Sequence, residues 1–162
     1  MATLSVPDVE RQECWDARLL ALARLVSTWS KDPSTKVGAA IVTPENVVVS
    51  VGYNGFAQSM PDAEEHYNDR AAKYSRIVHA ETNAIVLARA DVRGNTLYAT
   101  FPPCDRCAVT IIQAGIVRVV CPIPPKTIEA NGALDRWKAF QKDARQYFGE
   151  SMVEFVEIDE RA

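Results

Sequence analysis

The chain has 162 residues, a formal net charge of −3 and an isoelectric point near 5.4, and 48% of it is hydrophobic and 24% charged. That is an ordinary globular composition, long enough to bury a substantial core and predicting one domain over residues 1–162. No apolar run approaches the ~20 residues of a membrane span, the N-terminus lacks the basic-then-apolar pattern of a secretory signal, and the acidic balance speaks against a grip on long nucleic acid.

Asp8 is placed to cap a first helix running to about Trp29, in which Trp15, Leu19, Leu22, Val26 and Trp29 form one apolar stripe. Both tryptophans are expected in the core. A polar loop broken by Pro33 follows, and then two β-branched runs, 37–43 and 47–53, joined by Pro44-Glu45-Asn46 as a hairpin. The second run ends in Gly52-Tyr53-Asn54-Gly55, which reads either as a turn in which Asn tolerates positive φ or as a ligand-facing amide at a strand end. Residues 56–78 form a polar insert, charged from 62 to 76, that reads as a solvated face, a short helix or a binding loop. A helix is predicted over 79–91, a strand over 96–101, a helix over 105–114 closed by Gly115, and an apolar strand over 116–121. Pro122, Pro124 and Pro125 enforce a loop. Ala133, Leu134, Trp137, Phe140, Ala144, Tyr147 and Phe148 then mark a helix stopped by Gly149, and 152–158 is the last strand. A hairpin followed by strands alternating with helices predicts an α/β fold, a three-layer α/β/α arrangement around a mixed, five-stranded sheet.

The residues with the sharpest chemistry are His79-Ala80-Glu81 and Pro103-Cys104-Asp105-Arg106-Cys107. One imidazole and two thiolates are good zinc ligands, and three protein ligands leave a fourth tetrahedral position for water. Zinc lowers the pKa of such a water to roughly 7. Glu81 is not needed as a ligand and sits where a carboxylate can take a proton from that water and hand it on. Cys104 and Cys107, three apart at a helix start, share a face, and the helix N-terminus favours thiolate there. Of the other two cysteines, Cys14 and Cys121, the expectation is buried free thiols in a reducing cytoplasm; a second metal site from Cys14 and His66 is the alternative.

The H-x-E…P-C-x-x-C pattern is the signature of zinc nucleobase deaminases, and the chain resembles the cytidine deaminase superfamily over roughly residues 13–121. Within it, Ser30-Lys31-Asp32-Pro33-Ser34-Thr35 and Gly52-Tyr53-Asn54-Gly55-Phe56 resemble the deoxycytidylate (dCMP) branch, beside 78–85 and 111–116. The resemblance implies hydrolysis of dCMP to dUMP and ammonia for thymidylate synthesis, in a cytoplasmic homo-oligomer. It implies Zn2+ held by His79, Cys104 and Cys107, with Glu81 carrying protons to N3 of cytosine and then to the departing amine. It further implies that Asn54 contacts the sugar, that the Ala80 backbone contacts the pyrimidine edge and that Pro103 belongs to the substrate pocket, where its neighbour Pro102 replaces the aromatic or acidic residue of many relatives. For the 5′-phosphate the candidates are Ser30, Lys31 and Lys36, with Arg70, Lys73 and Arg76 in the insert; each is equally readable as a solvated surface charge. Many dCMP deaminases answer to dCTP and dTTP, which brings in Mg2+ with a regulatory nucleotide. The competing readings are a deaminase of a modified deoxycytidylate, cytidine, guanine or tRNA adenosine, and a non-catalytic scaffold stabilised by zinc.

Overall fold

The computed structural model describes residues 6–124 and 143–159. Among them the elements in chain order are α1 (Val6–Ser27), β1 (Gly38–Val42), β2 (Val48–Tyr53), β3 (Gly55–Phe56), α2 (Glu64–Asn68), α3 (Arg70–Arg76), β4 (Ile77–Val78), α4 (Ala80–Val86), β5 (Thr96–Ala99), α5 (Asp105–Gln113), β6 (Arg118–Pro122), α6 (Ala144–Glu150) and β7 (Glu154–Ile158). The main sheet runs β2-β1-β5-β6-β7, with β1 antiparallel to β2 and β5, and β5, β6 and β7 parallel. This is the expected mixed, five-stranded sheet. Pro125, Ala133, Leu134, Trp137 and Phe140 lie outside the described residues.

Alternation along the strands sorts the core into two layers. Ala39, Ile41, Leu97, Ala99 and Val119 face Ala80, Ala84, Cys107, Ile111 and Phe148 from α4, α5 and α6. Ala40, Val42, Tyr98 and Val120 face Leu19 and Leu20 of α1. Helices therefore cover both faces. Asp16 also lies on the buried side of α1, where Arg118 reaches it with two bonds of 2.8 and 2.7 Å and the Tyr98 hydroxyl donates a third at 2.7 Å. Burial pushes the Asp16 carboxyl up, but these bonds outweigh it and hold the group below its ordinary value.

Three expectations need correction. Trp29 is 52% exposed and meets Tyr53 edge-on instead of entering the core. Helix α1 ends at Ser27, and Thr28, Trp29 and Ser30 make tighter i→i−3 bonds that carry Trp29 off the stripe. Cys14 is exposed, on the solvent side of the same helix, whereas Cys121 is buried as expected. The helix predicted over 79–91 stops at Val86. Its last turn tightens where the Ala88 N–H reaches Ile85 O, and the Asp91 carboxylate takes the Arg93 N–H, a local bond that competes with helix. The insert contains two short helices and the β3–β4 ribbon, with Phe56 stacked on Tyr67 at 4.3 Å.

Two glycines set the layer spacing. A Cβ on Gly38 would overlap Ala23 O of α1, and a Cβ on Gly52 would overlap Ala84 N and Ala80 O of α4. Gly149 in α6 has nothing within 4 Å of its Cβ position. Gly52→Ala should therefore cost about 1–3 kcal/mol, read as a lowered urea midpoint. Gly149→Ala should raise that midpoint, by about 0.5–1 kcal/mol, because it removes backbone freedom without a clash. Equal effects of the two changes would refute the close α4–β2 approach.

Candidate active site

Two helix starts build the site. His79 is the N-cap of α4 and Cys104 the N-cap of α5, both with extended backbone, and neither side chain caps its helix. Freed from capping, the two side chains turn toward each other across the packed α4–α5 pair. Cys107 follows one turn into α5 and is buried. His79 Nδ1 stands 3.5 Å from Cys104 Sγ and 3.3 Å from Cys107 Sγ, and the three donor atoms lie within 4.8 Å of one another. Tetrahedral zinc with ordinary Zn–S and Zn–N bonds places such N and S donors ~3.6 Å apart. The donor set and its spacing fit zinc. Among the described residues this is the only cluster of three or more metal-ligating side chains.

The ribbon fixes the approach to the site. Gly55 pairs with Val78 and Phe56 with Ile77, so Asn54 and His79 directly adjoin the paired Gly55 and Val78. Asn83 of α4 donates from Nδ2 to Tyr53 O at 2.8 Å, tying the helix to the end of β2.

The electrostatics are those of a shared proton. The neighbouring Cys107 thiol, with His79, lowers Cys104 to about 4, while Cys104 and burial push Cys107 up. His79 is raised, chiefly by its hydrogen bond to Cys104. Metal binding requires both sulfurs as thiolates and the imidazole neutral, so loading the site releases protons. Glu81, 4% exposed, lies beside the cluster, and burial pushes its carboxyl above the usual range, against the pull of His79. A carboxyl so placed, beside the donors, can take a proton and pass it on.

The other residues nominated from sequence are placed as follows. Ala80 is fully buried at the first position of α4, and Pro102 and Pro103 are buried ahead of Cys104. Asn54 is buried; its Oδ1 accepts from Val37 N at 2.7 Å and its Nδ2 donates to Thr35 O at 2.8 Å and Asp32 Oδ2 at 3.4 Å. Both amide hydrogens are used, and Oδ1 keeps one lone pair. Ser30 gives its single hydroxyl proton to Asn54 O at 2.7 Å and accepts from Asp32 N. Lys31 pairs with Asp62 at 2.6 Å on the surface, and Lys36 is exposed. Arg70 lies over the Tyr74 ring, and Lys73 is buried against Asp32. His66 faces Phe56, and among the described residues no group of three or more metal-ligating side chains includes it or Cys14. Sequence reasoning passed over Asp32, Asn83 and Thr82, whose hydroxyl is 4.0 Å from Cys107 Sγ. Asn83 carried a faint signal, a poor helix former inside a short helix.

Residues 13–123 match the family model described as the cytidine and deoxycytidylate deaminase zinc-binding region. The chain is 39% identical over 140 residues to an uncharacterized deaminase in the luxG 3′ region of Aliivibrio fischeri, covering 86% of this chain and 90% of that one. It is 42% identical over 112 residues to the deoxycytidylate deaminase of Mus musculus, covering 65% of this chain and spanning 63% of the mouse protein's length. In fold it is similar to the dCMP deaminase of cyanophage S-TIM5 solved in complex with dCMP and dUMP, with a TM-score of 0.66 at 21% identity over 96% of this chain and 100% of the phage chain. A family model that spans both halves of the zinc cluster and most of the chain, joined to donor spacing that suits zinc, makes this chain a member of the cytidine and deoxycytidylate deaminase family.

Proposed function

We propose that this protein hydrolyses dCMP to dUMP and ammonia, supplying dUMP for thymidylate synthesis. The observation that carries the reading is the convergence of His79, Cys104 and Cys107 with a buried Glu81 that a purely structural zinc site would not need. The choice of dCMP is supported by the 42% identity to the mouse deoxycytidylate deaminase.

When bound, zinc supplies Lewis-acid activation of a water, bringing its pKa to roughly 7. The chain's own residues do the rest. Glu81 takes a proton from the attacking water and delivers it to N3 of cytosine as the water oxygen bonds to C4; it then takes the proton left on that oxygen and passes it to the exocyclic amine, whose bond to C4 breaks to release ammonia. Ala80 offers a backbone N–H from the first turn of α4, which has no partner within the helix, to the pyrimidine edge. Asn54 keeps one Oδ1 lone pair for a sugar hydroxyl. Pro103 walls the base pocket. Lys31 and Lys36 serve the 5′-phosphate, Lys31 by exchanging Asp62 for it. Ser30 joins them only by giving up its bond to Asn54.

The wider reading is one deaminase domain over residues 1–162 in a cytoplasmic homo-oligomer. Val86 of α4 and Val109 of α5, 69% and 54% exposed, are apolar side chains suited to a subunit contact. Cytoplasmic residence accords with four cysteines that form no disulfide. No helix among the described residues is long and apolar enough to cross a membrane. The dCTP and dTTP effectors, with Mg2+, rest on family resemblance alone.

Ammonia release from dCMP, deoxycytidine, CMP and 5-substituted dCMP, with and without dCTP or dTTP plus magnesium, tests the assignment. Selective turnover of dCMP is expected; equal rates on dCMP and deoxycytidine would remove the nucleotide from it. Glu81→Ala should keep one zinc per chain by elemental analysis while turnover falls by roughly 10²-fold or more. An active Glu81→Ala enzyme would end the proton-shuttle role.

A further inference from the structure

Lys73 stands out among the charged groups that the chemistry does not use. Its Nζ lies 2.7 Å from Asp32 Oδ1 and 3.2 Å from Ser34 Oγ, and the Lys73 and Asp32 side chains are only 9% and 2% exposed. Asp32 Oδ1 also accepts from Ser34 N at 2.8 Å and Thr35 N at 3.2 Å, while Asp32 Oδ2 takes the longer bond from Asn54 Nδ2. Asn54 in turn holds Val37 N and Thr35 O. The ion pair is thus the point where α3, the loop before β1 and the end of β2 meet. Within this network every Lys73 contact goes to the loop, and none reaches His79, Cys104 or Cys107.

A buried pair of this kind is a weak source of stability, since desolvation offsets much of its attraction, but removing one partner strands a charge. Its geometric effect is larger. Asn54 and His79 directly adjoin the paired Gly55 and Val78 of the β3–β4 ribbon, and the Asn54 amide is held by the same loop that Lys73 grips. We propose that the Lys73–Asp32 pair is a clamp that docks the insert on the loop at 30–37 and thereby sets Asn54 and Ser30 at the mouth of the site. Lys73 is then a positioning residue for nucleotide binding rather than a phosphate contact. The inference rests on the dCMP reading for its kinetic consequence, and on geometry alone for the clamp.

The test uses zinc-loaded, full-length Lys73→Met, with Asp32→Asn/Lys73→Met as the second variant, which leaves no unpaired buried charge. Zinc content, kcat and KM for dCMP, and amide hydrogen exchange by segment are measured. The clamp predicts one zinc per chain, kcat within about twofold of wild type and KM raised about tenfold. It also predicts faster exchange in 30–37 and 57–76, with α4 unchanged. Unchanged KM and exchange, or exchange rising equally in α4, overturns it, as does failure of both variants to fold. If the wild-type enzyme leaves dCMP untouched, the substrate reading fails, and the exchange pattern with the zinc content still decides the clamp.

Discussion

Helix α4 lies on strand β2 more closely than any side chain would permit, because residue 52 has none. A methyl group there would overlap Ala84 N and Ala80 O and come within 2.9 Å of Ala84 Cα. That contact fixes the height of α4 over the sheet, and His79 and Glu81 ride on its first turn. Asn83 ties the same helix to Tyr53 O, and the β3–β4 ribbon returns the chain to His79 from the other side. With α4 so held, α5 packs beside it and brings Cys104 and Cys107 within reach of the imidazole. An imidazole and a pair of thiols 25 and 28 residues away meet because two helices begin side by side on one face of the sheet.

The polar groups buried in this chain divide the labour. On the face under α1, Asp16, Arg118 and Tyr98 form a satisfied network that anchors α1 to β5 and β6, away from the metal cluster. On the site side, Asp32, Asn54, Ser30 and Lys73 brace a loop that no regular ladder holds. A loop without strand or helix partners must find its backbone bonds elsewhere. Here carboxylate and amide side chains supply them to Ser34, Thr35 and Val37. The same bonds that satisfy the loop also consume the Ser30 hydroxyl, the Asn54 amide hydrogens and the Lys73 ammonium, all nominated for the substrate from sequence.

The metal site was legible because its chemistry is local and restrictive: one H-x-E and one C-x-x-C at helix starts leave few other uses for those residues. The layers were legible too, from a hairpin followed by strands alternating with helices, and Ala39 to Val42 and Leu97 to Ala99 do face two cores in turn. What failed depended on events a residue away. Trp29 fits the helical period, but α1 tightens and stops two residues earlier. Helix 79–91 looked continuous, yet Asp91 found a nearer bond. Lys73 looked like a free cation because its partner, Asp32, is 41 residues away, a pairing no periodicity records.

The central claim is that His79, Cys104 and Cys107 hold a zinc ion with one position open for chemistry. X-ray absorption at the zinc edge on the loaded protein addresses it directly. The account predicts two sulfurs at ~2.3 Å, one imidazole nitrogen and one further light atom that is replaced when a nucleotide analogue is added. Four protein donors, or a sulfur count other than two, would contradict it.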